Sequence, residues 1–216
     1  MSESLIQHRA EVQGLATAIL LPSVSVFGES SDRVPGSAGP LTQVVGIGLF
    51  QRAVLTLQRA GIRQLIVLAG PEEDQLKQAL GRGPRVTIPV RWMPIREFPL
   101  DDPRTWEAMA AEVPGFCLVA SVRGVFSRGL IESLRREVQE GQAILVAQPV
   151  VQRAAGDRRV SVKVQAERLL ALGSFRAEDA TLVAADLLVL PADLMAAAQD
   201  THTPPGAMPI RRWIER

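Results

Sequence analysis

The stretch LFQRAVLTLQRAGIRQLIVLA, residues 49 to 69, joins the pattern of an amphipathic helix to that of a buried strand. In its first half the apolar residues recur at intervals of three and four, as on a helix that packs one face against a core. Gly61 is expected to end this helix, because glycine readily adopts the left-handed conformation that follows helix C-termini. Leu65 to Ala69 is an uninterrupted apolar run and predicts a strand that is covered on both faces. The stretch therefore predicts one helix-strand unit of an α/β protein.

Strands and helices continue to alternate on both sides of this unit. Upstream, the apolar run Leu15 to Leu21 predicts a buried strand, and a loop rich in Ser, Gly and Pro extends from Pro22 to Pro40. Downstream, the pattern predicts a helix from Pro71 to Leu80, a strand from Val86 to Arg91, a helix from Asp102 to Ala111, a strand from Phe116 to Ala120, a helix from Ser127 to Gly141 and a strand from Ala143 to Ala147. We therefore expect a Rossmann-like three-layer α/β sandwich with a mostly parallel sheet and helices on both faces.

The pattern changes after Pro149, where a β-rich C-terminal portion is expected on the same core. Its elements are short strands at 160–164 and 169–172, an apolar run at 181–190 and a helix from Pro191. Residues 15–200 are accordingly assigned to one domain. Residues 1–14 are assigned to an N-terminal extension and residues 201–216 to a C-terminal tail or linker.

The composition excludes several classes of protein. With 24 Lys and Arg against 23 Asp and Glu, the 216-residue chain has a formal net charge of +1, which argues against nucleic acid as a partner. A single cysteine, Cys117, cannot form an internal disulfide or a cysteine-based zinc site. The polar start of the chain resembles no signal peptide, and no apolar run approaches the ~20 residues of a membrane span. We therefore expect a cytoplasmic protein.

The segment GPLTQVVGIGLFQRAVLTLQRAGIRQLIVLA, residues 39 to 69, resembles the nucleotidyltransferases of the sugar-phosphate and inositol-phosphate cytidylyltransferase type. The later segments RLLALG, residues 168 to 173, and EDA, residues 178 to 180, are similar to that family in order and spacing. The resemblance implies a nucleotidyltransferase-like fold and transfer of a nucleotidyl group from CTP to a sugar or polyol phosphate. It also implies a glycine-rich phosphate loop, two phosphate-binding lysines and carboxylates that hold Mg²⁺.

At these positions the sequence departs from the family pattern. The glycine-rich loop corresponds to Leu21-Pro-Ser-Val-Ser25, and the two lysines correspond to Gly39 and Ser174. The aspartate that holds the metal corresponds to Val122, whose side chain cannot coordinate Mg²⁺. Because these groups are missing together, we expect a catalytically degenerate domain that needs no cofactor.

The remaining candidates for a site are few. Asp179 and Asp186 are the carboxylates nearest the expected second metal ligand, although Asp186 also fits a carboxylate at a strand end or sheet edge that pairs there. Residues that could contact a ligand follow the predicted strands, at whose carboxyl ends such sheets bind ligands: Ser23, Ser25, Arg33, Ser121 and Arg123. Arg33 and Arg123 are equally compatible with solvated surface positions.

Three functions remain open at this point. The first is an interaction or regulatory module linked to a membrane-embedded CDP-alcohol phosphotransferase in phospholipid head-group synthesis, because domains of this family are often found in one polypeptide with such an enzyme. The basic C-terminal segment PIRRWIER, residues 209 to 216, suits the cytoplasmic face of a membrane. The second is an active transferase using CTP and Mg²⁺, with Asp179, Asp186 or Glu29 as displaced ligands and Arg33 on the phosphates. The third is a small-ligand sensor with Arg123 as its anion anchor. A homodimer is also left open.

Overall fold

The first half of the chain builds a parallel sheet. The computed structural model describes residues 14–27, 38–82, 85–122, 125–138, 142–150, 160–166, 168–173 and 182–200. The parallel strands, in spatial order, are β5 (Val90–Pro94), β4 (Gln64–Ala69), β1 (Leu15–Leu21) and β6 (Phe116–Ser121). Ile19 of β1 lies between Ile66 of β4 and Val119 of β6. β1 and β6 are therefore neighbours within the sheet.

The C-terminal strands extend this sheet in the antiparallel sense. They are β7 (Ile144–Pro149), β8 (Ser161–Gln165), β9 (Arg168–Gly173) and β10 (Leu182–Pro191). β10 pairs with β6, β7 and β8, and β8 pairs with β9. The expected β-rich C-terminal portion is therefore part of the same sheet. A separate two-stranded ribbon, β2 (Gln43–Val44) and β3 (Ile47–Gly48), precedes the first helix.

Helices cover both faces of the sheet, as expected. They are α1 (Leu49–Arg59), α2 (Glu73–Gly81), α3 (Pro103–Ala110), α4 (Arg128–Glu137) and α5 (Ala192–Ala196), the last followed by a 3₁₀ turn (Ala197–Asp200). Side chains of α1, α2 and α4 share one apolar core, and those of α3 and α5 share the other. Alternate residues of β1 enter the two cores, with Leu20 on one face and Ile19 on the other. The three-layer sandwich is thus confirmed.

Local sequence signals account for three of the helix ends. Gly61, with a φ of 86°, follows α1, and the side chain of Asp102 accepts a hydrogen bond from the Arg104 amide at the start of α3. Ser127 caps α4 in the same way, although α4 ends at Glu137 rather than continuing to residue 141. No helix among the described residues is long and apolar enough to cross a membrane.

The predicted strand from Val86 to Arg91 is wrong in its position, because β5 begins only at Val90. Two interactions hold the preceding residues away from the sheet. The Gln58 side chain of α1 accepts a hydrogen bond from the Thr87 amide at 2.7 Å and donates one to the Arg85 carbonyl at 3.3 Å. Pro89 has no amide hydrogen to give to a ladder. Pairing therefore starts after this proline.

The domain bounds at residues 14 and 200 stay predictions. The N-terminal extension, apart from Gly14, and the whole C-terminal tail lie outside the described residues.

Candidate functional site

The carboxyl ends of β1 and β6 meet at one edge of the sheet. Leu21 and Ser121 are paired at the last step of the ladder, and the Val122 amide donates a hydrogen bond to the Leu21 carbonyl at 3.2 Å. In open α/β sheets this edge is where ligands bind, because the loops that follow the strands gather there. The candidate site is therefore built from the residues after β1, β4 and β6.

A hairpin projects beyond this edge. β7 lies along β10 from residue 182 to residue 189, while β6 pairs with residues 187–191 and β8 with residues 182–183 of the same strand. A strand can pair on two sides only, and β7 occupies one side of β10. β6 and β8 therefore share the other side, with β6 beside residues 187–191 and β8 beside residues 182–183. The β8–β9 hairpin thus continues past the carboxyl end of β6 and forms a second wall of the site.

The segment after β1 is folded back into the protein. Val26 and Phe27 are 0% and 3% exposed, and both pack in the core that also contains Val162 of β8 and Leu172 of β9. The Phe27 amide donates a hydrogen bond to the Ser25 hydroxyl oxygen at 3.2 Å. A phosphate loop needs backbone amides that point outward at an anion. Here the two residues directly after the equivalent stretch, Val26 and Phe27, supply apolar side chains to a core, and the Phe27 amide bonds within the segment.

Asp186 is brought to this segment from the middle of β10. The Ser25 hydroxyl donates a hydrogen bond to Asp186 Oδ1 at 2.6 Å. Asp186 has a φ of 52° and lies where the pairing of β10 with β7 shifts register between Ala184 and Leu188. Aspartate is one of the few side chains that tolerate this left-handed conformation, and a bulge of this kind turns a side chain out of the regular pleat.

The sequence-based placement of Asp186 at a strand end or sheet edge is therefore wrong. β10 is an interior strand, paired on both sides, and Asp186 is half-buried within it. The physical reason behind that prediction still holds, because the half-buried carboxylate of Asp186 accepts a hydrogen bond from the Ser25 hydroxyl.

Ser23 forms a second contact between a hydroxyl group and a carboxylate. Its hydroxyl donates to the side chain of Glu72, the residue that precedes α2. Gly70 makes room for this contact, because a Cβ atom at Gly70 would come within 2.7 Å of Glu72 Oε2. The sequence analysis missed Glu72 as a site residue. The Gly70-Pro71 turn directly after β4 was the signal that could have placed it at the carboxyl edge.

The position that the resemblance assigns to a metal ligand lies in the core. Val122 is 1% exposed and packs in the apolar cluster formed with α1, α2 and α4. Ser121, the preceding candidate, is also buried, at 2% exposure. Among the described residues no three His, Cys, Asp or Glu side chains come together in a way that could hold a metal ion.

The other candidates cannot be placed. Arg33, Arg123, Asp179 and Glu29 lie outside the described residues. Of the candidates that the structure does describe, Ser25 and Asp186 are in direct contact, Ser121 lies on the strand next to β1, and Ser23 bonds to Glu72. Cys117 lies in the core of β6, where burial raises the pKa of its thiol to about 12, so it is no reactive nucleophile.

Solved structures that resemble the chain are nucleotidyltransferases. The inositol-1-phosphate CTP transferase from T. maritima has a TM-score of 0.63 at 15% identity, over 88% of this chain and 76% of that one. A UDP-glucose pyrophosphorylase has a TM-score of 0.67 at 11% identity, over 94% of this chain and 88% of that one. The chain has the nucleotidyltransferase fold. HddC from Yersinia pseudotuberculosis is similar in structure as well, with a TM-score of 0.63 at 13% identity, over 91% of this chain and 84% of that one.

These identities are low, and what they establish is the shared fold. No family model matches the chain, and no curated protein matches it in sequence. The nucleotidyltransferase-like architecture expected from the sequence is confirmed. The chemistry has to be argued from the site itself.

Proposed function

We propose that the chain is a nucleotidyltransferase-like domain that no longer transfers nucleotides and acts as an interaction or regulatory module. One observation carries the proposal: the segment after β1 is closed, with Val26 and Phe27 in the core and Ser25 bonded to Asp186. Transfer of a nucleotidyl group depends almost entirely on positioning the phosphates and neutralising their charge. A segment that is anchored in the core and whose serine hydroxyls bond to the carboxylates of Glu72 and Asp186 is not suited to either task.

The replaced metal position supports the same conclusion. A Mg²⁺ ion takes oxygen ligands in an octahedral arrangement, mostly carboxylates, phosphates and water. The core location of Val122 leaves an apolar side chain, directly after β6, where the family pattern has an oxygen ligand. Asp186, the one described carboxylate among the sequence candidates, is engaged by Ser25. We infer that neither residue holds a metal ion against a triphosphate.

The proposed partner is a membrane-embedded CDP-alcohol phosphotransferase, with the domain at the cytoplasmic face of the membrane. The argument for it comes from the sequence resemblance and from the basic segment at residues 209–216. Basic residues contribute about 1 kcal/mol each near an anionic surface, so three of them give only weak, salt-sensitive attachment. Co-sedimentation with anionic vesicles at low salt, compared with a chain ending at Pro209, is expected to show binding by the full chain alone. Equal recovery of both chains in the supernatant would remove this part of the proposal.

The alternative is an active Mg²⁺-dependent transferase, and the activities named for the neighbouring structures define the assay. The chain is incubated with Mg²⁺, either CTP or UTP, and inositol 1-phosphate or glucose 1-phosphate, and pyrophosphate release is measured. We expect no release above the background of a sample without protein. A transferase of established activity serves as the positive control.

A matched variant sharpens this assay. Gly39→Lys restores one lysine of the family pattern, and a Cβ atom at Gly39 would have no atom within 4 Å, so the substitution fits. We expect this variant to be inactive too, because the segment after β1 remains closed. Release that rises with protein concentration and disappears in Asp186→Asn would establish the active alternative instead.

A further inference from the structure

Two outer strands of the sheet, β5 and β7, are built differently. β5 forms one edge, where Pro89 precedes the strand, Pro94 ends it, and Arg91 pairs with Glu112. Prolines and charged residues are the usual devices by which proteins stop a sheet edge from pairing with another chain. The outer strand β7, which pairs with β10, has none of them over Ile144 to Gln148, and proline appears only at its last position.

β7 is also apolar on both faces. Leu145 and Ala147 pack against the core beneath α3 and α5, while Ile144 and Val146 pack against the core beneath α1 and α4. All four side chains remain half-buried. Within the described part of the chain, β10 alone pairs with β7. A strand that is apolar on both faces is typical of the interior of a covered sheet, so β7 has the composition of an interior strand at an edge position.

We infer that β7 pairs with β7 of a second copy of this chain, so that one sheet continues through a symmetric dimer. A strand added here must itself be apolar on both faces, because it would continue both cores. The same edge of a second copy meets this requirement. β7 carries no charged side chain, and the net charge of +1 gives two copies little mutual repulsion.

The pleat of the sheet fixes the pairing. Directly opposite residues in an antiparallel pair point to the same face. With the two-fold axis at Val146, Leu145 lies opposite Ala147 of the partner subunit. Leu145 and Ala147 both face the core beneath α3 and α5, so apolar side chains meet on that face of the continued sheet. The side chain of Val146 then lies opposite Val146 of the partner subunit. This register uses all five residues that precede Pro149.

One strand pair buries less surface than the ~1,200 Å² of a stable interface, so the dimer is expected to be weak, with a dissociation constant on the order of 10–100 µM. Sedimentation velocity of the full chain over a concentration series from low micromolar to sub-millimolar measures it. Val146→Lys places two like charges opposite each other at the axis and is expected to weaken association at least tenfold. Val125→Lys, at a 69% exposed position before α4, is the matched control and is expected to associate like the unmodified chain.

A charge-pair rescue tests the register itself. Val146→Lys and Val146→Glu are each expected to be monomeric, whereas an equimolar mixture is expected to associate again, because the two charges then lie opposite each other. Far-ultraviolet circular dichroism confirms that each variant is folded. A chain that stays monomeric throughout the series, a Val146→Lys variant that associates normally, or a mixture that fails to associate would each overturn the proposal. None of these results depends on whether nucleotides bind.

Discussion

Replacing Val122 by aspartate is expected to lower the free energy of unfolding by about 3 to 5 kcal/mol. Val122 is 1% exposed and surrounded by apolar side chains of α1, α2 and α4, so the new carboxylate would lose its water with no partner in that cluster. Thermal unfolding followed by circular dichroism measures the effect. A loss of this size lowers the Tm of a domain of this length by roughly 10 °C.

Val122→Asn is the matched control, because asparagine has the shape of aspartate without its charge. The difference between the two variants isolates the buried charge. Burial raises the pKa of the new carboxyl above its value in the unfolded chain, so the folded state binds more protons. The stability of the aspartate variant relative to the asparagine variant should therefore fall as the pH rises above about 4, and it should level off once the pH exceeds the raised pKa.

The effect of Mg²⁺ on the Tm of the aspartate variant shows whether the new carboxylate is buried in the core or can bind a metal ion. If position 122 faced a metal site, millimolar Mg²⁺ would stabilise the aspartate variant by binding only its folded state. We expect no such increase in Tm. An aspartate variant that is as stable as the unmodified chain, and that gains stability from Mg²⁺, would contradict the core placement of this residue and the proposal built on it.

The sequence predicted the fold well where local signals and burial agree. Helix α1 and strand β4 have strong periodicity and a glycine between them, and both were placed within a residue of their observed bounds. β5 was misplaced because its position depends on the Gln58 side chain of a distant helix, which holds Thr87 away from the sheet. Such a contact leaves no mark in the pattern of neighbouring residues.

The candidate site was predicted only in part, for a related reason. Ser23, Ser25 and Ser121 follow predicted strands, and the rule that carboxyl ends gather at one edge placed them correctly. The partners of Ser25 and Ser23, Asp186 and Glu72, are 161 and 49 residues away along the chain, and their contacts depend on a bulge in β10 and a turn after β4. The burial of Phe27 could not be predicted either, because the core that it enters is built from residues distant along the chain, among them Val162 of β8 and Leu172 of β9.

The closed segment and the missing lysines together predict that nucleotides do not bind. Hydrogen bonds to charged groups contribute about 1.5 to 3 kcal/mol each. Losing two lysine contacts to phosphate therefore weakens binding by about two to four orders of magnitude, before the lost amides of the loop are counted. Mg²⁺ offers no compensation, because Val122 replaces one of its expected ligands.

Calorimetric titration of the full chain with CTP, UTP, ATP and GTP tests this claim most directly. Each nucleotide is added with excess Mg²⁺ and again with EDTA, and a nucleotidyltransferase of known activity is titrated in parallel as the positive control. The account predicts no saturable heat for any of the four nucleotides in either buffer. Micromolar affinity for any of them that requires Mg²⁺ would contradict it and would show that the chain keeps a working nucleotide site.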